Sequence, residues 1–332
     1  MNLNPLSPIY RGIIGVRNTL YDHHILHTSS LEGPVISVGN LSTGGSGKTP
    51  FVILLGELLK ARGIRFDVLS RGYGRKTHGT LLVDPGGLPR DFGDEPLLIA
   101  RRLNVPVVVG ESRYEAGRLA EAKFGPQIHL LDDAFQHRRL ARDFDIVLVT
   151  PDDARDRLLP SGRLREPLRS LQRADTVVLT SGAAAEAFPV VGKFVWRLRR
   201  GIVLPAELNT PARPLVFCGI ARPQNFLLQL RAAGIDPAAQ AFFRDHHAYT
   251  EKDIRDLLQL RQRSDAGGFI TTEKDAVNLC GYLTALAPLT VVSVKMELAD
   301  AANAIDTMLR VIEERRRVRE KMPQRATSQQ SG

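Results

Sequence analysis

Cysteine is scarce in this chain: 332 residues contain only two, Cys218 and Cys280. That excludes a disulfide framework and a cysteine-rich metal site. Both thiols read as buried groups in a reducing compartment, Cys218 lying inside the apolar run 215–218. Long apolar stretches are missing too. No run reaches the roughly 18 residues that a spanning helix needs. No cleavable leader is evident, so the chain is expected in the cytoplasm. Aromatic residues make up only 6% and do not interleave with the basic stretches, which argues against a surface that stacks nucleic-acid bases. No internal repeat is apparent. What remains, 43% hydrophobic and 24% charged, is ordinary for a globular protein long enough for two domains.

The net charge of +9 suits an anionic partner, and nucleic acid, membrane phosphates and acidic lipid all satisfy it. Part of the excess is the cluster Arg315-Arg316-Arg317, Arg319 and Lys321, which reads as the solvated face of a last helix before a polar tail (321–332) expected to be disordered. At the other end, Leu6, Ile9, Tyr10, Ile13, Ile14, Leu20 and Tyr21 follow a helical period, with Arg11 and Arg17 beside the stripe. Such an amphipathic helix, within residues 1–30, can pack on the protein's own core or lie in a membrane interface. Spacing alone leaves both open.

The most specific feature is Val35-Ile-Ser-Val-Gly-Asn-Leu-Ser-Thr-Gly-Gly-Ser-Gly-Lys-Thr-Pro50, an apolar strand, a glycine-rich loop and a helix start. Without side chains at Gly44, Gly45 and Gly47, backbone N–H groups can curl around an anion. Ser42, Thr43 and Ser46 complete the loop. Lys48 brings a charge for the outer phosphates and Thr49 a hydroxyl for Mg²⁺. Pro50 suits a first helical turn, and the leucine stripe at 54, 55, 58 and 59 points the positive end of the helix dipole at the phosphates. A strict phosphate-loop pattern wants glycine where Ser42 stands, but strand, loop and helix come in the required order. The reading is a nucleoside triphosphate site.

Downstream, apolar strand-like runs at 66–69, 105–109, 128–131, 146–149 and 177–179 alternate with helical patterns at 95–103 and 112–124. That order predicts an α/β, P-loop NTPase-like fold: a mostly parallel sheet covered by helices. Further runs at 194–198, 215–218, 269–271 and 291–294 follow. The proline-containing stretch 203–214 reads as a linker, giving a core domain over 31–209 and a smaller α/β unit over 210–320.

Several polar stretches sit at expected strand ends, where ligands of open α/β sheets gather. Asp132-Asp133 closes a hydrophobic strand and can help hold Mg²⁺, with Gln136 and His137 on the following loop. Asp94 and Glu95 open a helix, where Asp94 reads equally as a cap and as a functional carboxylate. Arg71 and Tyr73 lie in the glycine-punctuated basic stretch 70–76, which suits an anionic ligand. Arg163, Arg165 and Glu166 offer phosphate or metal contacts. Asp245-His246-His247 heads another helix. Adjacent histidines cannot meet at one ion from a regular helix, but one beside an aspartate can tune proton transfer.

Taken together these stretches resemble the tetraacyldisaccharide 4′-kinase family of Gram-negative bacteria. The matching residues are Val38-Gly-Asn40, Gly44-Gly-Ser-Gly-Lys-Thr-Pro50, Ser70-Arg-Gly-Tyr-Gly74, Gly93-Asp-Glu-Pro96, Leu131-Asp-Asp-Ala-Phe-Gln-His137, Gly162-Arg-Leu-Arg-Glu-Pro167, Asp245-His-His247 and Thr271-Thr-Glu-Lys-Asp275. The match runs over nearly the whole chain with no departure at these positions. The resemblance implies ATP- and Mg²⁺-dependent phosphorylation of the 4′-hydroxyl of a tetraacylated glucosamine disaccharide 1-phosphate, giving lipid IVA. It implies Asp94 as general base assisted by His246, with Lys48 and Thr49 on the β/γ-phosphates and Mg²⁺. Asp132 and Glu166 would join Thr49 at the metal. Asp133, Gln136, His137 and Arg165 would complete the transition-state shell, with Arg71 and Tyr73 toward the substrate. An acylated substrate implies a peripheral enzyme on the cytoplasmic face of the inner membrane, expected to be a monomer without nucleic acid. The rival from another class is a P-loop ATPase switch or metallochaperone. Those carry a signature lysine before the paired glycines, where this chain has Thr43.

Overall fold

The computed structural model describes residues 6–204 and 211–321. The expected linker lies partly, and the tail beyond Lys321 wholly, outside the described residues. Twelve strands, β1 (Val35–Asn40), β2 (Phe66–Ser70), β3 (Leu81–Leu82), β4 (Val107–Val109), β5 (Ile128–Leu131), β6 (Phe144–Val149), β7 (Thr176–Thr180), β8 (Phe194–Val203), β9 (Leu215–Cys218), β10 (Ala239–Phe242), β11 (Phe269–Thr272) and β12 (Leu289–Leu298), form one sheet. The helices are α1 (Leu6–Asp22), α2 (Lys48–Ala61), α3 (Pro89–Phe92), α4 (Asp94–Leu103), α5 (Arg113–Phe124), α6 (Pro223–Ala232), α7 (Glu251–Arg263), α8 (Glu273–Leu279) and α9 (Ala301–Lys321).

The sheet order is β10-β9-β11-β12-β8-β7-β6-β1-β5-β2-β4-β3. Neighbours run parallel except β8 with β12 and β3 with β4. Strands β1 and β6 are buried along their whole length, as continuous apolar runs must be when helices cover both faces. The two long strands β8 and β12 pair antiparallel from Leu198–Leu298 to Val203–Ser293. They carry the chain from the half built on β1 to the half built on β9 and back. Although α9 follows the second half in sequence, its Ile305, Met308 and Ile312 are buried with Phe51, Leu55 and Phe144 of the first.

Three details differ from the sequence reading. The basic cluster on α9 is not simply solvated: Arg315 meets Asp175 at 2.6 Å, Arg319 meets Asp143 at 3.0 Å and Arg316 bonds the Glu32 carbonyl. Arg317 pairs with Glu313 one turn back on the same helix, and Lys321 is exposed. Cys218 is buried, but Cys280 is exposed, because α8 ends there in a left-handed residue (φ 49°) that turns the chain outward. Asp94 is the first residue of α4 and not its cap. Gly93 (φ 90°) holds the cap position, and a Cβ there would come within 3.0 Å of the Tyr73 carbonyl.

Helix α1 is oriented polar face inward. Leu6, Ile9, Ile13 and Val16 are 57–62% exposed, and Tyr21 is its one buried residue. The face toward the body makes hydrogen bonds instead, described below. No helix among the described residues is long and apolar enough to cross a membrane.

Candidate active site

A cleft of about 760 Å³ opens where the two halves of the sheet meet, lined from one side by the phosphate loop and from the other by residues of β12, α6 and the ends of β9 and β11. Gly44, Gly45 and Gly47 take φ of +75°, +51° and +82°, a left-handed run that L side chains resist. Gly47 is also the N-cap of α2, so the helix begins at Lys48 with its free N–H groups facing the cleft. Ser42 replaces the usual glycine without strain. It forms an extended β-bridge with Leu164 and needs no left-handed backbone.

Lys48 Nζ lies 3.1 Å from Asn40 Oδ1 and 3.4 Å from Asp133 Oδ1. Asp133 also receives the Arg165 guanidinium at 3.1 Å. Burial works to raise the Asp133 carboxyl, but these two cations hold it below its usual value. Its neighbour behaves oppositely. Asp132 is 2% exposed, and burial, with Glu95 and Asp133 adding their charge, pushes it up to about 7. Its Oδ2 accepts from Ser70 Oγ at 3.4 Å, whereas Oδ1 is buried with no hydrogen-bond partner. Behind it Arg113, whose pKa burial pushes down to about 10, donates to the Asp132 and Gly110 carbonyls.

Behind the facing wall, which His246 and Glu95 line, Asp94, 4% exposed, receives His246 Nδ1 at 2.9 Å and Asn278 Nδ2 at 3.1 Å. Its Oδ1 also accepts from the Glu95 N–H at 2.9 Å. Burial again tends to raise the carboxyl, but the hydrogen bond from His246 and the charge of Lys274, 3.9 Å away, outweigh it and the pKa falls. His246 stands in a left-handed residue (φ 58°) just before α7, which swings its ring back toward α4. Burial tends to lower its pKa, but Asp94 raises it above the ordinary value. Lys274, at the start of α8, contacts Asp245 at 2.9 Å, His246 Nε2 at 3.2 Å and Glu95 at 3.7 Å. The Tyr73 ring lies 5.2 Å from the His246 ring. A carboxylate held low, fixed in direction and touching an imidazole can accept a proton from a hydroxyl placed before it.

Of the residues expected from sequence, Thr43 to Pro50, Arg71, Tyr73, Asp132, Asp133, Arg165 and His246 line the cleft. Ser42, Asp94, Gln136, His137 and Glu166 do not; Asp94 sits one hydrogen bond behind His246 and next to Glu95, which do. Gln136 donates to the Asn40 carbonyl at 2.8 Å and so braces the strand below the loop. His137 is partly buried among Arg113, Arg142, Arg139 and Arg17, and burial plus these charges lower it to about 4, leaving it neutral. Glu166 is fully buried, 2.9 Å from Arg173 and 2.8 Å from Asn18. Lys274, Asn278, Arg200 and Arg222 carry no role that the sequence alone assigns. Lys274 and Asn278 share one face of α8, and the charged run after β11 was the available signal.

The donor set fits a hard divalent cation. An oxygen of Asp132 is buried and unpartnered, the Thr49 side chain is buried at the same floor, and Asp133 and Glu95 line the same space. Oxygen-only ligands beside a phosphate loop suit Mg²⁺. Among the described residues no preformed group of three acidic, histidine or cysteine side chains stands at ligating distance, so phosphate oxygens would have to complete the shell.

A family model described as tetraacyldisaccharide-1-P 4′-kinase (LpxK) matches residues 1–313. The chain belongs to this family. Among its tetraacyldisaccharide 4′-kinase relatives, that of Koribacter versatilis is 51% identical over 320 residues, covering 94% of this chain and 99% of the relative. That of Aquifex aeolicus is 40% identical over 295 residues, covering 85% and 90%. The crystal structure of LpxK from Aquifex aeolicus in complex with ATP superposes with a TM-score of 0.77 at 36% identity, covering 93% of this chain and 98% of that one. The α/β, P-loop kinase-like fold read from the sequence is thus the fold of the 4′-kinase family.

Proposed function

We propose that this chain transfers the γ-phosphoryl group of ATP to the 4′-hydroxyl of a tetraacylated glucosamine disaccharide 1-phosphate, giving lipid IVA. The observation that carries the reading is one cleft with a phosphate loop on one wall and, on the other, His246 hydrogen-bonded to Asp94 directly behind it. Asp94 takes the hydroxyl proton as that oxygen attacks the γ-phosphorus. The bond to the β–γ bridging oxygen breaks, and ADP leaves. His246 and Asn278 aim the carboxylate and keep it ionised. Lys48, the loop N–H groups and Arg165 neutralise charge on the transferring group, which is most of what phosphoryl transfer demands. Thr49 and Asp132 would hold Mg²⁺, which would supply further positive charge beside the phosphate oxygens. Arg71 and Tyr73 face the acceptor, while Gln136, His137 and Glu166 hold the loops that present these groups.

The units 31–209 and 210–320 close on each other about β8 and β12, bringing His246 and Lys274 to the loop. The apolar face of α1 lies on the cytoplasmic surface of the inner membrane, where the acyl chains of the substrate reside and anionic headgroups attract the cationic surface. The enzyme acts as a monomer and binds no nucleic acid. The deciding experiment is incubation with ATP and the lipid disaccharide. A doubly phosphorylated lipid is expected, and its absence ends the reading. ADP release that needs no acylated sugar would instead revive the ATPase switch, which Thr43 already disfavours. Deleting residues 1–21 is expected to release the chain from vesicles, and retention would locate the anchor elsewhere.

A further inference from the structure

The inward face of α1 does not rest on apolar core; it rests on the loops of the cleft. Tyr10 OH donates to the Arg165 carbonyl at 2.9 Å, Asn18 Nδ2 to Glu166 Oε2 at 2.8 Å, Arg17 to the Gln136 carbonyl, and Ser7 meets Ser161 at 2.6 Å. Arg138, from the same loop as Gln136, returns a bond to the Asn18 carbonyl at 3.0 Å and an ion pair to Asp22 at 2.7 Å. The 163–166 segment is in turn laced to the phosphate loop: Thr43 N–H donates to the Arg163 carbonyl at 2.8 Å and Arg165 N–H to the Leu41 carbonyl at 2.6 Å. Arg165 then reaches Asp133, and Asp133 reaches Lys48. A continuous set of bonds therefore runs from the helix to the phosphate-binding lysine.

We propose that α1 is a positioning element of the phosphoryl-transfer site, through which seating of its exposed face on an anionic lipid surface aligns the 163–166 segment and the phosphate loop. This rests on the reading of the chain as a lipid kinase. The physical basis is the weakness of the seat. A helix of 17 residues with one buried side chain gains little from tertiary packing, the source of most helical stability in proteins. Its bound population is then set by whatever covers Leu6, Ile9, Ile13 and Val16. A lipid surface that favours the ordered helix favours, by the same free energy, the loops bonded to it. The occupant is an anionic bilayer because the exposed apolar stripe is flanked by exposed Arg11 on a chain of net charge +9. Tyr10 and Asn18 are the residues of α1 that make the connection, and neither faces the lipid.

The test uses the full chain with substrate-free phosphatidylglycerol–phosphatidylethanolamine vesicles, read by hydrogen exchange at amides 41–45 and 163–166 and by co-sedimentation. In the native chain vesicles are expected to slow exchange at both segments by about fivefold or more, the low end of ordinary coupling between sites. The Tyr10→Phe/Asn18→Ala double variant is expected to co-sediment as before while losing that protection, and to lower kcat without moving the KM for ATP. The single Tyr10→Phe change, which removes one hydroxyl, is expected to show a smaller loss in the same direction. Equal protection in native and double-variant chains, or bound vesicles that leave native exchange unchanged, overturns the proposal. A native chain that makes no doubly phosphorylated lipid yet shows the coupling fails on the kinase reading alone.

Discussion

At the acceptor end of the cleft Asp94 is ringed by donors; at the phosphate end Asp132 keeps one oxygen bare. Both carboxyls are almost fully enclosed, so dehydration acts on each in the same direction. They part because of their partners. His246, Lys274 and Asn278 pull Asp94 below its usual value, whereas Glu95 and Asp133 push Asp132 further up, to about 7. Burial alone therefore does not assign a role to a carboxylate. The signs of the neighbouring charges do: a satisfied, ionised group is poised to take a proton, and an unsatisfied one awaits a cation.

The largest expected effect removes the cation that serves the phosphate end. Lys48→Ala should lower kcat by about 10³-fold or more, the scale of cationic groups in phosphoryl transfer, and near-normal turnover in a steady-state assay would refute the loop assignment. Next, Asp94→Asn should lower kcat by about 10²-fold through loss of the general base, with the KM for ATP changed only slightly. A proportional loss of ATP affinity would show that the two ends are not separate. Removing only the support, His246→Asn leaves the dehydration of Asp94 less opposed, so the acid limb of the kcat–pH profile should move to higher pH. An unmoved limb would mean that His246 does not tune Asp94.

The smallest effect is on stability. Asp132 has a folded pKa of about 7 against about 3.9 when unfolded, so the folded state binds this proton more tightly. Its contribution is most favourable at low pH and worsens as pH rises through the interval between the two values. Asp132→Asn escapes that loss. In chelator, the variant's gain in Tm over the native chain should be greater at pH 8 than at pH 5, and equal gains at both would break the contrast drawn between the two carboxyls.

How far these features are legible in the sequence depends on how local they are. The phosphate loop is contiguous, and every part of it, including the stripe of α2, can be read in order. The strands of the first half are likewise visible because burial on both faces makes them near-continuous apolar runs. The Asp94–His246 bond spans 152 positions, so no spacing rule brings the pair together; family resemblance did. Lys274 and Asn278 join them only because α8 starts beside α4. The amphipathic period of α1 is plain, yet periodicity does not say which face meets the protein. The usual expectation, apolar stripe inward, is wrong for Leu6, Ile9 and Ile13. Gln136, His137 and Glu166 read as cleft residues from their motifs, but Gln136 turns to the Asn40 carbonyl, Glu166 to Arg173 and Asn18, and His137 lies among arginines, a distinction made by rotamers and not by order along the chain.

One feature of the topology constrains how the halves can move. The chain leaves the first half along β8 and returns along β12, two ten-residue strands that are direct neighbours, and α9 then locks into the first core. Exit and return are thus stitched side by side, like the two leaves of a single hinge pin. The outer half can tilt about that ribbon but cannot slide along it without breaking its ladder. A one-residue insertion in either strand would consequently shift the groups that the outer half presents to the nucleotide, and would also disturb the core through Trp196 and Leu198 of β8 or Met296 and Leu298 of β12.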